Sequence, residues 1–231
     1  MRTPSILATI VVAAVLPVLA LAAPVSIPVP VGSGFETVEA RGDFDVQVRE
    51  GSPASVEIVG EPGLAERIRV EVVTGELRLS RKKEFESARG VVVKVVLPLF
   101  RGLSIAGSGK GTAESGGSPR DVNLAVSGSG DLAWSGEAGT ARVSISGSGD
   151  AKLSGKGDAL KVAVSGSGEV DAKGFAAKDA TVSIAGSGDV GLRLAGGTLT
   201  AQIAGSGNVT WGGEGKVGAV ATAGSGRVVQ R

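Results

Sequence analysis

The triplet Gly-Ser-Gly recurs along the second half of the chain, beginning at Gly107, Gly128, Gly147, Gly166, Gly186, Gly205 and Gly224, at spacings of 21, 19, 19, 20, 19 and 19 residues. A period held through seven cycles marks a chain that stacks one supersecondary unit on the next, since a single unit of this size cannot bury an apolar face alone. The residues around each triplet keep the same register. Two positions before it stand Ile105, Val126, Ile145, Val164, Ile184, Ile203 and Thr222, and four before it Leu103, Leu124, Val143, Val162, Val182, Ala201 and Val220. The second residue after it is Gly111, Leu132, Ala151, Val170, Val190, Val209 or Val228, and two further on come Ala113, Trp134, Leu153, Ala172, Leu192 and Trp211.

That two-residue alternation on both sides of a glycine corner describes strand, corner, strand. A second corner is expected at Gly136, Gly155, Gly174 or Gly213, followed by a short return segment. A Gly/Ser linker shares the composition, but a linker does not hold valine and isoleucine in register. Coils stacked ~4.8 Å apart bury a continuous interior and satisfy one another's backbone groups. The expected fold is therefore all-β: a β-solenoid, like a right-handed parallel β-helix, over residues 101–231 with about 19–20 residues per coil. An antiparallel β-meander or prism is the alternative.

The preceding portion, residues 35–100, alternates as strands through Phe44, Val46 and Val48; Val56 and Ile58; Ile68, Val70 and Val72; Leu77 and Leu79; and Val91, Val93 and Val95. Ser80 to Gly90 reads as a longer polar loop. Its Arg81, Lys82 and Lys83 are followed at once by Glu84 and Glu86, so a solvated loop is expected rather than a basic patch. Residues 23–34, with Pro24, Pro28 and Pro30, read as an extended leader whose prolines deny it ladder hydrogen bonds. Residues 1–22 combine Arg2, an apolar run from Ile6 to Leu21, and the small-residue pattern Ala20, Leu21, Ala22, which together read as a secretory signal cleaved before Ala23. An uncleaved membrane anchor is the alternative, and the lack of cysteine excludes a lipoprotein anchor. The protein is thus expected to be exported, periplasmic or at the cell surface, without stable membrane insertion after cleavage.

The chain has no histidine, cysteine or tyrosine, which removes most nucleophile, metal and redox chemistry. A net charge of +1, with acids and bases interleaved, gives no footprint for nucleic acid. One column of acids remains to be weighed: Lys110, Asp131, Asp150, Glu169, Asp189, Asn208 and Arg227 directly follow the triplets. Stacked carboxylates ~4.8 Å apart repel by only ~1 kcal/mol in a water-like dielectric, so the column needs no ligand to persist. Corner chemistry is the favoured reading, in which Asp or Asn bonds nearby backbone. Calcium ligation and paired-carboxylate glycoside hydrolysis are the alternatives. Trp134 and Trp211 share inward positions with Leu153 and Leu192, so core packing is expected of them rather than sugar stacking. No catalytic, cofactor-binding or metal residue is assigned.

The opening Phe35, Val38, Gly42, Asp43, Phe44, Val46, the Val91 to Pro98 strand and the serial S-G-S-G-D units resemble the putative auto-transporter adhesin, head GIN domain family of bacterial exported proteins, over residues 35–229. The resemblance implies a β-helix-like fold and an exported location, and it carries over no catalytic residue. An auto-transporter also needs a membrane barrel, and no barrel-like segment is expected after the repeats. The function expected is a non-catalytic, adhesin-like binding or structural scaffold of the envelope, with an envelope protein or glycan as partner. A carbohydrate-active hydrolase or lyase on the same scaffold is the alternative; converging acids over an aromatic floor would favour it, and smooth regular faces would favour the scaffold.

Overall fold

The computed structural model describes residues 25–32, 34–116 and 120–231; the segment read above as a secretory signal, with its expected cleavage before Ala23, lies outside the described residues. Seven strands precede the repeats: β1 (Val25–Val29), β2 (Thr37–Gly42), β3 (Asp45–Glu50), β4 (Ser55–Gly60), β5 (Ile68–Val73), β6 (Glu76–Arg81) and β7 (Val92–Leu97). Nine follow: β8 (Gly102–Gly107), β9 (Lys110–Glu114), β10 (Arg120–Gly128), β11 (Asp131–Gly147), β12 (Asp150–Gly166), β13 (Glu169–Gly186), β14 (Asp189–Gly205), β15 (Asn208–Gly224) and β16 (Arg227–Gln230). All belong to one 16-stranded sheet wound into coils, with a single 3-10 turn at Ala65–Arg67 and no α-helix among the described residues.

The pairings between coils are parallel throughout the repeat region, which makes the fold a parallel β-solenoid and rules out the antiparallel meander. Gly107, Gly128, Gly147, Gly166, Gly186, Gly205 and Gly224 stack directly on one another. Each corner is closed by the serine amide, which donates to the first glycine carbonyl of the coil below, as in Ser148 N to Gly128 O at 2.9 Å and Ser167 N to Gly147 O at 2.9 Å. Both glycines of the triplet are required. Gly147 has φ +125°, and a Cβ on Gly149 would stand 2.2 Å from the Gly130 carbonyl oxygen.

The rows expected to face inward do so. Ile105, Val126, Ile145, Val164, Ile184 and Ile203 are all at most 3% exposed, and Leu103, Leu124, Val143, Val162, Val182 and Ala201 are equally buried. The last row departs: Val220 is 44% exposed, because among the described residues β16 covers β15 only at Asn208–Trp211 and no strand pairs beyond Val220. The second corner is less regular than the first. Gly136 stacks on Gly155, but the next coil is 20 residues long and places Phe175 on Gly155 and Gly174 on Ser154, with the extra residue absorbed as a register shift.

The solenoid begins earlier than the triplets suggest. β2 pairs in parallel with β8, bringing Gly42 onto Gly107, and β3 pairs in parallel with β9, so Gly42, Asp43 and Phe44 form a corner of the same stack. Beyond this coil one face continues through β6 to the antiparallel edge strand β5, and the other through β7 and antiparallel β4 to β1. The leader differs from its expectation: Val25–Val29 does enter the ladder, with Pro28 opposite Glu57. An edge strand bonds on one side only, so a proline is tolerated there.

The 80–90 loop is also less solvated than its charge implied. Ala88 is fully buried, Arg67 Nη1 donates to Ser87 O at 2.8 Å, and Arg67 lies 5.4 Å over the Phe85 ring. Asp43, from the first corner, accepts from Ser87 Oγ and from the Ala88 amide at 2.9 Å, with Arg81 and Arg89 each 3.8 Å away. Burial opposes ionisation of Asp43, but the bonds from Ser87 and Ala88, aided by Arg81, outweigh it and hold the carboxyl below its ordinary value of 3.8. The docking energy is therefore present above the ordinary value and lost as pH falls through the lower folded-state value. Hydrogen exchange should show the Ala88 amide protected at neutral pH and released in that acid window. Asp43→Ala should open the loop at pH 7, with roughly 10-fold or more loss of protection, as expected for losing a bond to a charged acceptor.

Candidate functional site

The coil geometry fixes what the acid column does. Asp131 stands beside Asp150 and Lys110, Glu169 beside Asp189, and Asn208 beside Arg227. Asp150 Oδ1 accepts the Glu169 amide at 2.9 Å, and Asp189 Oδ1 accepts both the amide of Asn208 at 2.8 Å and its Nδ2 at 3.0 Å. A carboxylate at the start of one coil thus satisfies an N–H at the start of the next. Asp45 extends the column into the first coil by accepting the Lys110 amide at 3.0 Å. It was illegible in sequence because its corner lacks the Gly-Ser-Gly signature.

A second ladder of the same kind runs along the return segments, where Asp121 Oδ1 accepts the Thr140 amide at 3.1 Å and Asp179 Oδ1 accepts the Thr198 amide at 2.8 Å. Arg142 Nη1 donates to Asp121 Oδ2 at 2.8 Å, and this bond, with that from Thr140, holds the Asp121 carboxyl below its ordinary value. Among the described residues, no three acidic side chains are grouped so as to hold a metal ion.

Both tryptophans point into the core. Trp134 is 2% exposed, donates from Nε1 to Ser115 Oγ at 3.1 Å, and lies 5.6 Å from the Phe175 ring; Trp211 is 4% exposed. The Phe175 ring reaches Trp134 across Gly157, where an added Cβ would stand 2.7 Å from Phe175 Cζ. Neither indole offers a stacking platform to a sugar.

One surface open to recognition is the outer face of the sheet that follows the triplets. Gln47, Thr112, Ala133, Lys152, Asp171, Gly191 and Thr210 stand side by side on successive coils. The surface is a shallow, mixed-charge strip. One depression of about 370 Å³ lies along Lys110, Asp131, Asp150, Lys152, Glu169 and Asp171. Another of about 610 Å³ lies nearer the N-terminal end, along Gln47, Arg49, Glu57, Lys94, Thr112 and Glu114. Its walls carry loose ion pairs, Arg49 with Glu114 at 3.6 Å and Lys94 with Glu57 at 3.9 Å, whose side chains stay largely hydrated.

Solved structures share this architecture. A Bacteroides fragilis protein described as a putative adhesin superposes with a TM-score of 0.81 at 20% identity, over 90% of this chain and 97% of its own. A Parabacteroides distasonis protein described as a putative lipid binding protein gives 0.70 at 20% identity, over 90% and 97%. A Parabacteroides merdae putative adhesin gives 0.67 at 19% identity, over 90% and 96%. Among curated proteins none matches the chain. The family model described as putative auto-transporter adhesin, head GIN domain, matches residues 34–215, and the chain belongs to that family.

Proposed function

We propose that the protein is exported and acts in the cell envelope as a non-catalytic, adhesin-like scaffold, presenting the outer strip from Gln47 to Thr210 to a protein or glycan partner. The observation that carries this reading is the division of labour within each coil. The large apolar and aromatic side chains after the triplet are spent on the core, the corner acids Asp150 and Asp189 on backbone N–H groups, and a row of small and charged side chains is left outside. Such a row suits an extended polar contact rather than a reaction, which needs groups converging on one bond. The apolar run before Ala23 supports the exported location, and the adhesin names within the family agree with it.

The test joins location to chemistry. Sequencing of the envelope or culture-medium form should give Ala23 as the first residue, whereas a retained Met1 would overturn export. Lys152→Glu combined with Asp171→Lys should weaken capture of envelope protein or glycan about 10-fold or more, with Tm unchanged, as exposed substitutions cost little stability. Equal capture would overturn the strip as the contact. Asp150→Asn with Asp189→Asn serves the rival readings. Loss of a polysaccharide hydrolysis seen with the unaltered protein would establish an enzyme. A calcium-dependent rise in Tm abolished by the pair would establish a metal site, since tight binding adds ~3 kcal/mol at a hundredfold excess over Kd.

A further inference from the structure

Among the described residues, the large exposed hydrophobic side chains are Val25, Ile27, Val72, Val73, Val217, Val220 and Val229, and all seven lie on strands at the two ends of the stack. The ends differ in how they are guarded. At the N-terminal end β1 carries Pro28, which offers no N–H, and β5 carries Arg69 and Glu71, paired at 2.6 Å. Proline and charge are the usual protections of a sheet edge against another strand.

The C-terminal edge at 216–224 has no proline and a single charge, Lys216. Residues 216–224 of β15 read Lys, Val, Gly, Ala, Val, Ala, Thr, Ala, Gly, with one charge in nine, and they pair with β14 on one side only. Val217 and Val220 sit in register with Leu199 and Ala201, which are fully buried one coil below, yet they are 42% and 44% exposed. The edge therefore offers a row of unpaired backbone groups above an open core. An occupant must supply a strand with small, uncharged side chains.

The geometry points to a second copy of this chain as that occupant, joined end to end through the 216–224 edge by a two-fold axis at Val220. Antiparallel pairing about Val220 sets Val220 against the second copy's Val220, Gly218 against its Thr222 and Lys216 against its Gly224, so no like charges face, and Val220 and Thr222 stay on the core side; the extra residue that β15 carries between Val217 and Val220 puts Val217 outside this alternation. The same register sets the corner bearing Glu214 against the opposite corner of the second copy, next to its Arg227. Neither Glu214 nor Arg227 has an ion-pair partner within the chain among the described residues. The two-fold relation supplies each with one, twice over. Because the same patch is used by both copies, the assembly closes at two. The end of one coil is smaller than the ~800 Å² per partner of a standard interface, so the expected Kd is micromolar, on the order of 1–100 µM.

Sedimentation equilibrium of the purified full-length protein in low salt should show monomer and dimer and nothing larger. Val220→Lys, which brings two lysines together on the axis, should raise the Kd at least ~100-fold while thermal melting holds, since this side chain is already half exposed. Glu214→Arg and Arg227→Glu should each weaken the dimer about 10-fold, and the two together should restore it to within about 3-fold of the original. Three results would each overturn the assignment: a monomer at every concentration to ~1 mM, an open-ended series of larger species, which means N-terminal to C-terminal stacking, or a double charge swap as weak as its single components.

Discussion

Replacing Gly149 with valine is expected to lower the stability of the protein by about 3 kcal/mol or more, the upper range for forcing extra atoms into a close-packed site. A Cβ at this position would lie 2.2 Å from the Gly130 carbonyl oxygen and 2.6 Å from Val126 Cγ1. The first obstacle is backbone and cannot rotate away. Relief requires the coils to separate at the corner, which stretches the adjoining bonds of Ser148 and Gly149 to the Gly128 carbonyl, now 2.9 and 3.0 Å long. For a chain of this size the loss corresponds to a Tm lower by roughly 6–12 °C. Gly116, where an added Cβ would meet nothing among the described residues and which has no positive φ, is the matched control, and Gly116→Val should melt within about 2 °C of the unaltered protein. Equal melting of the two variants would show that close approach between coils does not fix the corner residue.

Truncating Trp134 to alanine should cost about 3–5 kcal/mol, since a fully buried indole leaves a large void behind and the void is only partly filled by relaxation. Trp134 is the largest of the fully buried side chains, touches Phe175 two coils above, and donates its indole N–H to Ser115. A Tm fall of roughly 6–20 °C is expected. Trp134→Phe, which keeps most of the volume and loses the bond to Ser115, should fall between. Were Trp134 a sugar platform instead, alanine would leave Tm near its original value and abolish glycan capture.

The repeat was legible because a parallel stack imposes one environment on equivalent residues of successive coils. Ile145, Val164 and Ile184 could be aligned by their distance from a triplet, and the structure buries each of them. Legibility stopped where that equivalence stops. The Gly42 corner performs the same turn with Asp43 and Phe44 in place of Ser-Gly, so nothing in its spelling linked it to Gly107. Val220 obeys the inward pattern as well as Val182 does, yet burial depends on the coil above, and among the described residues none covers the Val220 segment of β15. The docking of the 80–90 loop rests on Asp43 bonding residues about 45 positions away, and polar contacts at that separation leave no periodic trace. The corner acids show the reverse case: their spacing was plain, and only the geometry revealed that Asp150 and Asp189 serve amides of the next coil.

The in-register stacking of Gly128, Gly147, Gly166 and Gly186 has a consequence for reach. Each coil rests on the one below and bears the one above, so deleting or duplicating a whole unit leaves the triplet corners and the apolar rows before them with neighbours of the kind they had before. The molecule then shortens or grows by one interstrand spacing, ~4.8 Å, for each unit of chain gained or lost. Such a protein is a ruler with graduations of that size, and unit number alone sets how far its N-terminal end stands from whatever holds the other.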